Sequence, residues 1–329
     1  MKKTLIFTVL AFLAAGTANA AMQTLQAYTA EGAGLSIDAV GLNDNVQGQV
    51  QAEIPAGATI YAAYLYSASV WSSPLQNVWF EGNALVSNAS SRLDVGVKDA
   101  NDASENRWDV TSIVSTKYDG VGGIYNFNVT ETGGLDGEIL AVMYSVAGDP
   151  VRTAIILDGE LATTGESFDV NLGSAYDGSD AILSLGISFG YQPSSQYTQV
   201  DIDGNRLTTS AGGQDDGLVS NGGLITAGGV GDSTALPSPY ASATSATSDD
   251  ELYNIASLLT VGATSFNITT LNPSNDDNVF FMGLVVNGIA SVDDPDDPDV
   301  PSVPEPATML LFGTGLVGLA GTRRIRRKK

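Results

Sequence analysis

The sequence predicts an all-β protein: two tandem, duplicated β-sandwich domains followed by a single C-terminal transmembrane helix. Three observations predict it. Short runs of Val, Ile, Leu, Tyr and Phe alternate with Gly, Ser, Thr, Asn and Asp over residues 21–292, with almost no 3.6-residue periodicity. One succession of segments is written twice within that stretch. An apolar stretch near the C-terminus is closed by six cations.

Residues 1–20 read as a secretory signal peptide. Lys2 and Lys3 form the basic start, residues 5–15 the apolar core, and Ala18, Asn19 and Ala20 a small-residue cleavage site. The rival reading is a first transmembrane helix, which needs about 20 apolar residues, far more than this run offers.

The body divides into a first β-sandwich domain, 21–149, and a second, 150–290. Residues 78–85 (VWFEGNAL) match 200–207 (VDIDGNRL) at an offset of 122. Residues 108–114 match 253–259 at 145, 126–130 match 265–269 at 139, and 139–143 match 279–283 at 140. The step from 122 to 145 locates an insertion in the second copy, in the Gly, Ser and Ala rich stretch 210–248. A loop of that length is expected to be loosely packed or functional.

Strands are predicted at 60–67, 78–80, 124–129, 139–144, 153–157, 182–189, 200–202, 265–269 and 279–286. Each copy offers seven or eight short strands in about 120 residues, the size and turn spacing of a jelly roll. Glu81-Gly82-Asn83 and Asp203-Gly204-Asn205 read as tight hairpins whose Gly and Asn supply the positive φ. Asp109 is expected to cap a single helical turn with Val110, Ile113 and Val114 inward. Asp249 and Asp250 lead into its counterpart, with Leu252, Ile255, Leu258 and Leu259 inward. The segment 109–114 (DVTSIV) resembles the short turn before a long strand in lectin-like jelly rolls. That likeness is structural and carries no sugar binding with it.

After the body, residues 291–302 (SVDDPDDPDVPS) form an acidic Asp/Pro linker, a stiff extended spacer rising ~3.1 Å per residue. Residues 303–329 then read VPEP, an apolar stretch at 307–322 with four glycines, and Arg323, Arg324, Arg326, Arg327, Lys328 and Lys329. Sixteen helical residues rise about 24 Å, a short span for a hydrocarbon core of about 30 Å. The terminal cations hold that end in the cytoplasm, so the body faces outward. Pro304-Glu305-Pro306, the glycine-rich apolar stretch and the terminal arginines together resemble the PEP-CTERM sorting signal of Gram-negative bacteria. The resemblance implies recognition by an exosortase-type protease, cleavage near Pro304-Glu305-Pro306, and passage from the inner membrane and periplasm to the cell surface or extracellular matrix.

Composition narrows the chemistry. The 329 residues contain neither His nor Cys, which excludes imidazole bases, Cys nucleophiles, the usual zinc sites, haem, iron-sulfur clusters and disulfides. Residues 21–304 hold 6 basic and 36 acidic side chains, so nucleic acid and anionic membrane surfaces are repelled.

What remains is oxygen chemistry. Asp99, Asn101, Asp102 and Glu105 in the first copy, and Asp249, Asp250 and Glu251 in the second, are candidate calcium ligands, with solvated loops as the alternative. Asp201, Asp203 and Asn205 echo the start of an EF-hand loop, but Arg206 and Gly212 stand where Gly and Glu are required, so a hairpin tip explains them. Trp71, Tyr191 and Tyr197 lie in matching loops and are candidates for stacking on an exopolysaccharide, with closure of the sandwich end as the alternative. No catalytic set is legible. The sequence therefore reads as a non-enzymatic, exported surface or biofilm-matrix protein. The alternatives are a polysaccharide-binding, calcium-dependent lectin-like module and a carboxylate glycosidase, which needs two facing carboxylates.

Overall fold

The computed structural model describes residues 22–42, 46–69, 77–88, 90–93, 105–132, 135–159, 165–188, 198–211, 225–236, 251–271 and 278–293. In the first half these form β1 (Gln23–Glu31), β2 (Gly34–Gly41), β3 (Gln47–Ile54), β4 (Thr59–Ser69), β5 (Val78–Phe80), β6 (Asn83–Leu85) and β7 (Glu105–Asp109). Helix α1 (Thr111–Lys117), β8 (Gly123–Glu131) and β9 (Leu135–Ser145) follow. The second half supplies β10 (Val151–Asp158), β11 (Ser167–Leu172), β12 (Ala181–Ser188), β13 (Thr198–Ile202), β14 (Asn205–Ala211), β15 (Thr226–Ala227) and β16 (Leu252–Asn254). A 3-10 turn (Ile255–Leu258), β17 (Ser265–Leu271), β18 (Asn278–Asn287) and β19 (Ala290–Asp293) complete it. The protein is all-β, and each of the nine predicted strands is present.

The strands make four antiparallel sheets. One outer sheet has the order β3-β8-β5-β6, and the inner sheet beside it β2-β9-β4-β7. The second inner sheet runs β1-β10-β18-β12-β15 with β16 also on β12, and the second outer sheet β14-β13-β17-β11-β19. Three apolar cores fill the spaces between these layers. Leu65, Phe80, Phe127 and Leu140 pack between the first outer and inner sheets, and Leu183, Val200, Phe266 and Leu284 between the second pair. Tyr66, Ile139, Ile156 and Phe281 pack between the two inner sheets. Inner strands are thus covered on both faces: β9 is buried at all positions 135–143. Such strands read as continuous apolar runs, and each large side chain so buried contributes roughly 1.5–3 kcal/mol.

The shared strand orders are instructive: β2-β9-β4-β7 and β3-β8-β5-β6 correspond to β10-β18-β12-β16 and β11-β17-β13-β14. The row Trp108, Leu65, Leu140 corresponds to Tyr253, Leu183, Leu284. This pairing offsets β9 from β18 by 144 residues, four more than the apolar match suggests. A bulge at Asp136 and another at Phe280 obey the same offset. Runs buried on both faces carry no alternation to pin the register, so sequence alone tolerates the slip.

At both hairpin tips the left-handed residues are the acid and the glycine, rather than glycine and asparagine. Glu81 and Gly82 have φ of 50° and 76°, and Asp203 and Gly204 48° and 73°. The acid tolerates this because it is tied to the next strand. Glu81 N–H donates to Asn128 O (2.9 Å) and its carboxylate accepts from Asn128 N–H (2.6 Å). Asp203 makes the same two bonds with Asn267, at 2.9 and 2.8 Å. Glu81→Ala and Asp203→Ala are each expected to cost ~1–2 kcal/mol in urea unfolding, because a charged acceptor is lost at a strained residue; Glu81→Gly should cost less.

Three further differences concern order. α1 has seven residues rather than a single turn, and Asp109 accepts from Thr111 N–H (2.9 Å) while Val110 occupies the cap position. Its counterpart is capped by Asn254, which accepts from Ala256 N–H (3.1 Å). β1 precedes every strand of the first inner and outer sheets in sequence yet pairs with β10 in the second inner sheet. Part of the 210–248 stretch is packed: Ile225 and Ala227 are buried in the central core, and Val230 N–H donates to Ile37 O (2.8 Å). Apolar side chains there outweigh the small-residue composition around them.

Candidate functional site

A concavity follows the outer edge of β2. It encloses about 430 Å³ between Glu53, Ile54 and Tyr144 on one side and Ile182, Ser184 and Val285 on the other. β2 is the edge of its sheet, and its alternate side chains do two jobs. Ile37 and Ala39 join the central core, while Ser36 and Asp38 reach β3, itself an edge strand. Ser36 Oγ accepts from Glu53 N–H (2.7 Å) and Asp38 accepts from Gln51 N–H (2.5 Å), so the free edge of β3 is satisfied by side chains.

These bonds commit the polar groups of the groove. Ser184 Oγ donates to Gly228 O (2.6 Å). Burial, with the Glu53 carboxylate, holds the Tyr144 hydroxyl above its ordinary range, so it stays protonated at neutral pH. Burial, with a contribution from Asp232, pushes the Asp38 carboxyl up to about 7 against the Gln51 hydrogen bond. Among the residues lining the groove, Glu53 is the one carboxylate. The arrangement can bind an extended ligand; it assembles no acid and base around a common point.

A second surface lies where β1 crosses β4. Tyr61 stacks on Tyr28 with centroids 3.9 Å apart and planes 11° from parallel. Gln26 Nε2 donates to the Tyr61 hydroxyl (3.1 Å) and Tyr28 donates to Ser145 Oγ (3.0 Å), which fixes both rings. Tyr61 remains 43% exposed. No sequence spacing announces this pair, since its members are 33 residues apart and meet only when β1 joins the second inner sheet.

Of the predicted site residues, Glu105 and Glu251 lie among those described, and both are buried rather than in solvated loops. Glu105 opens β7 opposite Ala68 and so faces the central core, while Glu251 precedes β16. β7 and β16 belong to different sheets. Asp99, Asn101, Asp102, Asp249, Asp250, Trp71, Tyr191 and Tyr197 lie outside the described residues, as do residues 1–20, the tail cations and the 307–322 stretch. Among the described residues no helix is long and apolar enough to cross a membrane, and no three acidic groups converge to hold a metal ion. Asp201 pairs with Arg206 (2.5 Å), its partner across the hairpin.

No curated protein matches the chain. Solved structures similar to it include a β-porphyranase of glycoside hydrolase family 86 from the human gut bacterium Bacteroides plebeius, at 11% identity and a TM-score of 0.23. That match covers 84% of this chain but 38% of the porphyranase. The major capsid protein of bacteriophage PM2 matches at 12% identity and a TM-score of 0.21, over 80% of this chain and 99% of its own. A cupin 2 conserved barrel domain protein from Leptotrichia buccalis matches at 9% and 0.21, over 80% and 97%. The match at the tail is of a different kind, because it is specific in sequence and falls where Pro304, Glu305 and Pro306 precede the glycine-rich apolar stretch and its arginines. Residues 302–327 are a PEP-CTERM protein-sorting motif, and the chain is an exported protein directed to an exosortase.

Proposed function

We propose that this protein is a non-enzymatic component of the cell surface or biofilm matrix: a duplicated, jelly-roll-like β-sandwich body carried on the stiff acidic spacer 291–302. The sorting motif at 302–327 carries the reading. Before processing, the 307–322 helix holds the precursor in the inner membrane with its six cations in the cytoplasm and the body in the periplasm. Cleavage near Pro304-Glu305-Pro306 then frees the acidic body. The matched strand orders, paired hairpin locks and paired bulges support duplication. The committed hydroxyls and single carboxylate of the β2 groove support a presenting rather than a catalytic role.

Replacing Pro304, Glu305 and Pro306 together by alanine is expected to abolish maturation, so that the full-length precursor accumulates in the inner-membrane fraction of the native host. Normal processing and release of that variant would refute the sorting assignment.

A second reading, binding of the cell's own polysaccharide, is favoured by the Tyr61 ring: flat, exposed, backed by Tyr28 and flanked by the Gln26 amide. Tyr61→Ala should reduce retention on immobilised host exopolysaccharide about two- to tenfold, since one stacked ring is worth ~0.5–1.5 kcal/mol. Retention equal to wild type would remove this site.

A further inference from the structure

The two halves of the body can be compared position by position, and one difference stands out. At the end of the first core, β8 delivers Glu131 from the outer sheet and β9 delivers Glu138 from the inner one. They are 3% and 0% exposed, and their carboxyl groups are near neighbours, the Glu131 charge adding to the burial that raises Glu138. The register relating the halves places Thr270 and Met282 at these positions in the second sandwich. That sandwich closes without the acids, so the fold does not require them.

The surroundings do not satisfy the pair. Neither carboxyl receives a well-formed hydrogen bond from a protein N–H or O–H, and the Leu135 amide is the backbone group that faces Glu131. Asn106, Ser67, Glu138 and Val40 form one row across the inner sheet, with no cation among them. Arg107, adjacent to Asn106, points to the opposite face and pairs with Asp158. Ser67, directly opposite Glu138 and on the same face, is 0% exposed, and its hydroxyl has no hydrogen-bond partner.

We propose that Glu131, Glu138 and the Ser67 hydroxyl hold a divalent cation of the calcium class at this end of the first sandwich. Two facing buried carboxylates are costly, and sharing a proton still leaves one charge buried and Ser67 unpaired. A hard divalent ion satisfies all three groups at once. The donors are oxygens, the carboxylates can each bind through two atoms, and the irregular set suits calcium better than the strict octahedron magnesium demands.

The test uses the purified protein stripped with chelator. Calcium is expected to raise its melting temperature by several degrees at saturation, with Kd at or below the ~10⁻³ M of weak extracellular sites. Terbium should bind in its place and luminesce through Trp108, which sits one row along the same face. Glu131→Gln with Glu138→Gln removes buried charge, so it should fold and lose both responses. Ser67→Ala, a minor change within β4, should weaken calcium several-fold at an unchanged metal-free melting temperature. Absence of any calcium or terbium response in the wild type up to about 10 mM, well above the weakest such sites, would leave a proton-sharing pair and overturn the proposal. A response that survives in the double Gln variant would assign the ion to the acidic stretches 99–105 or 249–251, and would overturn it equally.

Discussion

Asp158→Ala should destabilise the body by about 3–5 kcal/mol, the range for breaking a buried ion pair by removing one partner. Asp158 ends β10 in the second inner sheet and is 5% exposed. It accepts from the Tyr66 hydroxyl on β4 (2.9 Å) and from Arg107 Nη1 on β7 (2.8 and 2.5 Å), both in the first inner sheet. Burial holds the Asp158 carboxyl up, and Arg107 offsets this only in part. Arg107 also lies over the Tyr64 ring, 5.9 Å from its centroid. Removing the carboxylate strands a guanidinium whose side chain is 27% exposed and a fully buried phenol. The partial exposure of Arg107 puts the expected loss toward the lower end. Tyr66→Phe should cost less, about 1.5–3 kcal/mol, the range for one hydrogen bond to a charged group. Asp158→Leu combined with Arg107→Met should recover most of the stability, because the desolvation cost leaves with both charges. Urea unfolding of these variants checks the ordering, and an Asp158→Ala loss below about 1 kcal/mol would contradict it.

Stability is also expected to fall as pH rises from about 4.5 to about 7.5, measured in chelator. The Asp38 carboxyl titrates near 3.8 when unfolded and at about 7 when folded, chiefly because it is buried. Between those values the folded state binds the extra proton, so each step up in pH favours unfolding. Below the lower value the stabilisation is complete; above the upper it is gone. The difference is worth at most ~4 kcal/mol at about 1.4 kcal/mol per pH unit, and the partial exposure of Asp38 brings the expected change to ~2 kcal/mol. Glu131, also pushed up to about 7 by burial, and Glu138, raised well above its ordinary range by burial and by the Glu131 charge, act in the same direction. Below about pH 4 the trend reverses as Asp119, held low by the Tyr125 hydroxyl, and Asp177, held low by Ser179, take up protons. Asp38→Asn keeps an acceptor for Gln51 N–H and should flatten the profile. A profile that rises toward neutrality in the wild type would contradict the expectation.

How much of this was legible depended on the range of the interaction. Local signals were reliable: the hairpins at 81–83 and 203–205 and the nine predicted strands need only turn residues and apolar runs. Strands with diluted patterns escaped notice, among them β2, whose Ser36 and Asp38 interrupt an apolar run to serve β3. Candidate site residues were harder, because Tyr28 with Tyr61 and Glu138 with Ser67 are neighbours across strands and far apart in the chain.

By itself, then, the sequence determined the all-β class, the repeated segments and the sorting motif, since these rest on composition, short turns and a contiguous tail. Tertiary structure alone decided that β1 joins the second inner sheet, that the halves align at an offset of 144 along β9 and β18, and that two acids meet inside the first core. Strand pairing and layer packing bring together residues tens to hundreds of positions apart, and segments buried on both faces carry no alternation from which their register could be read.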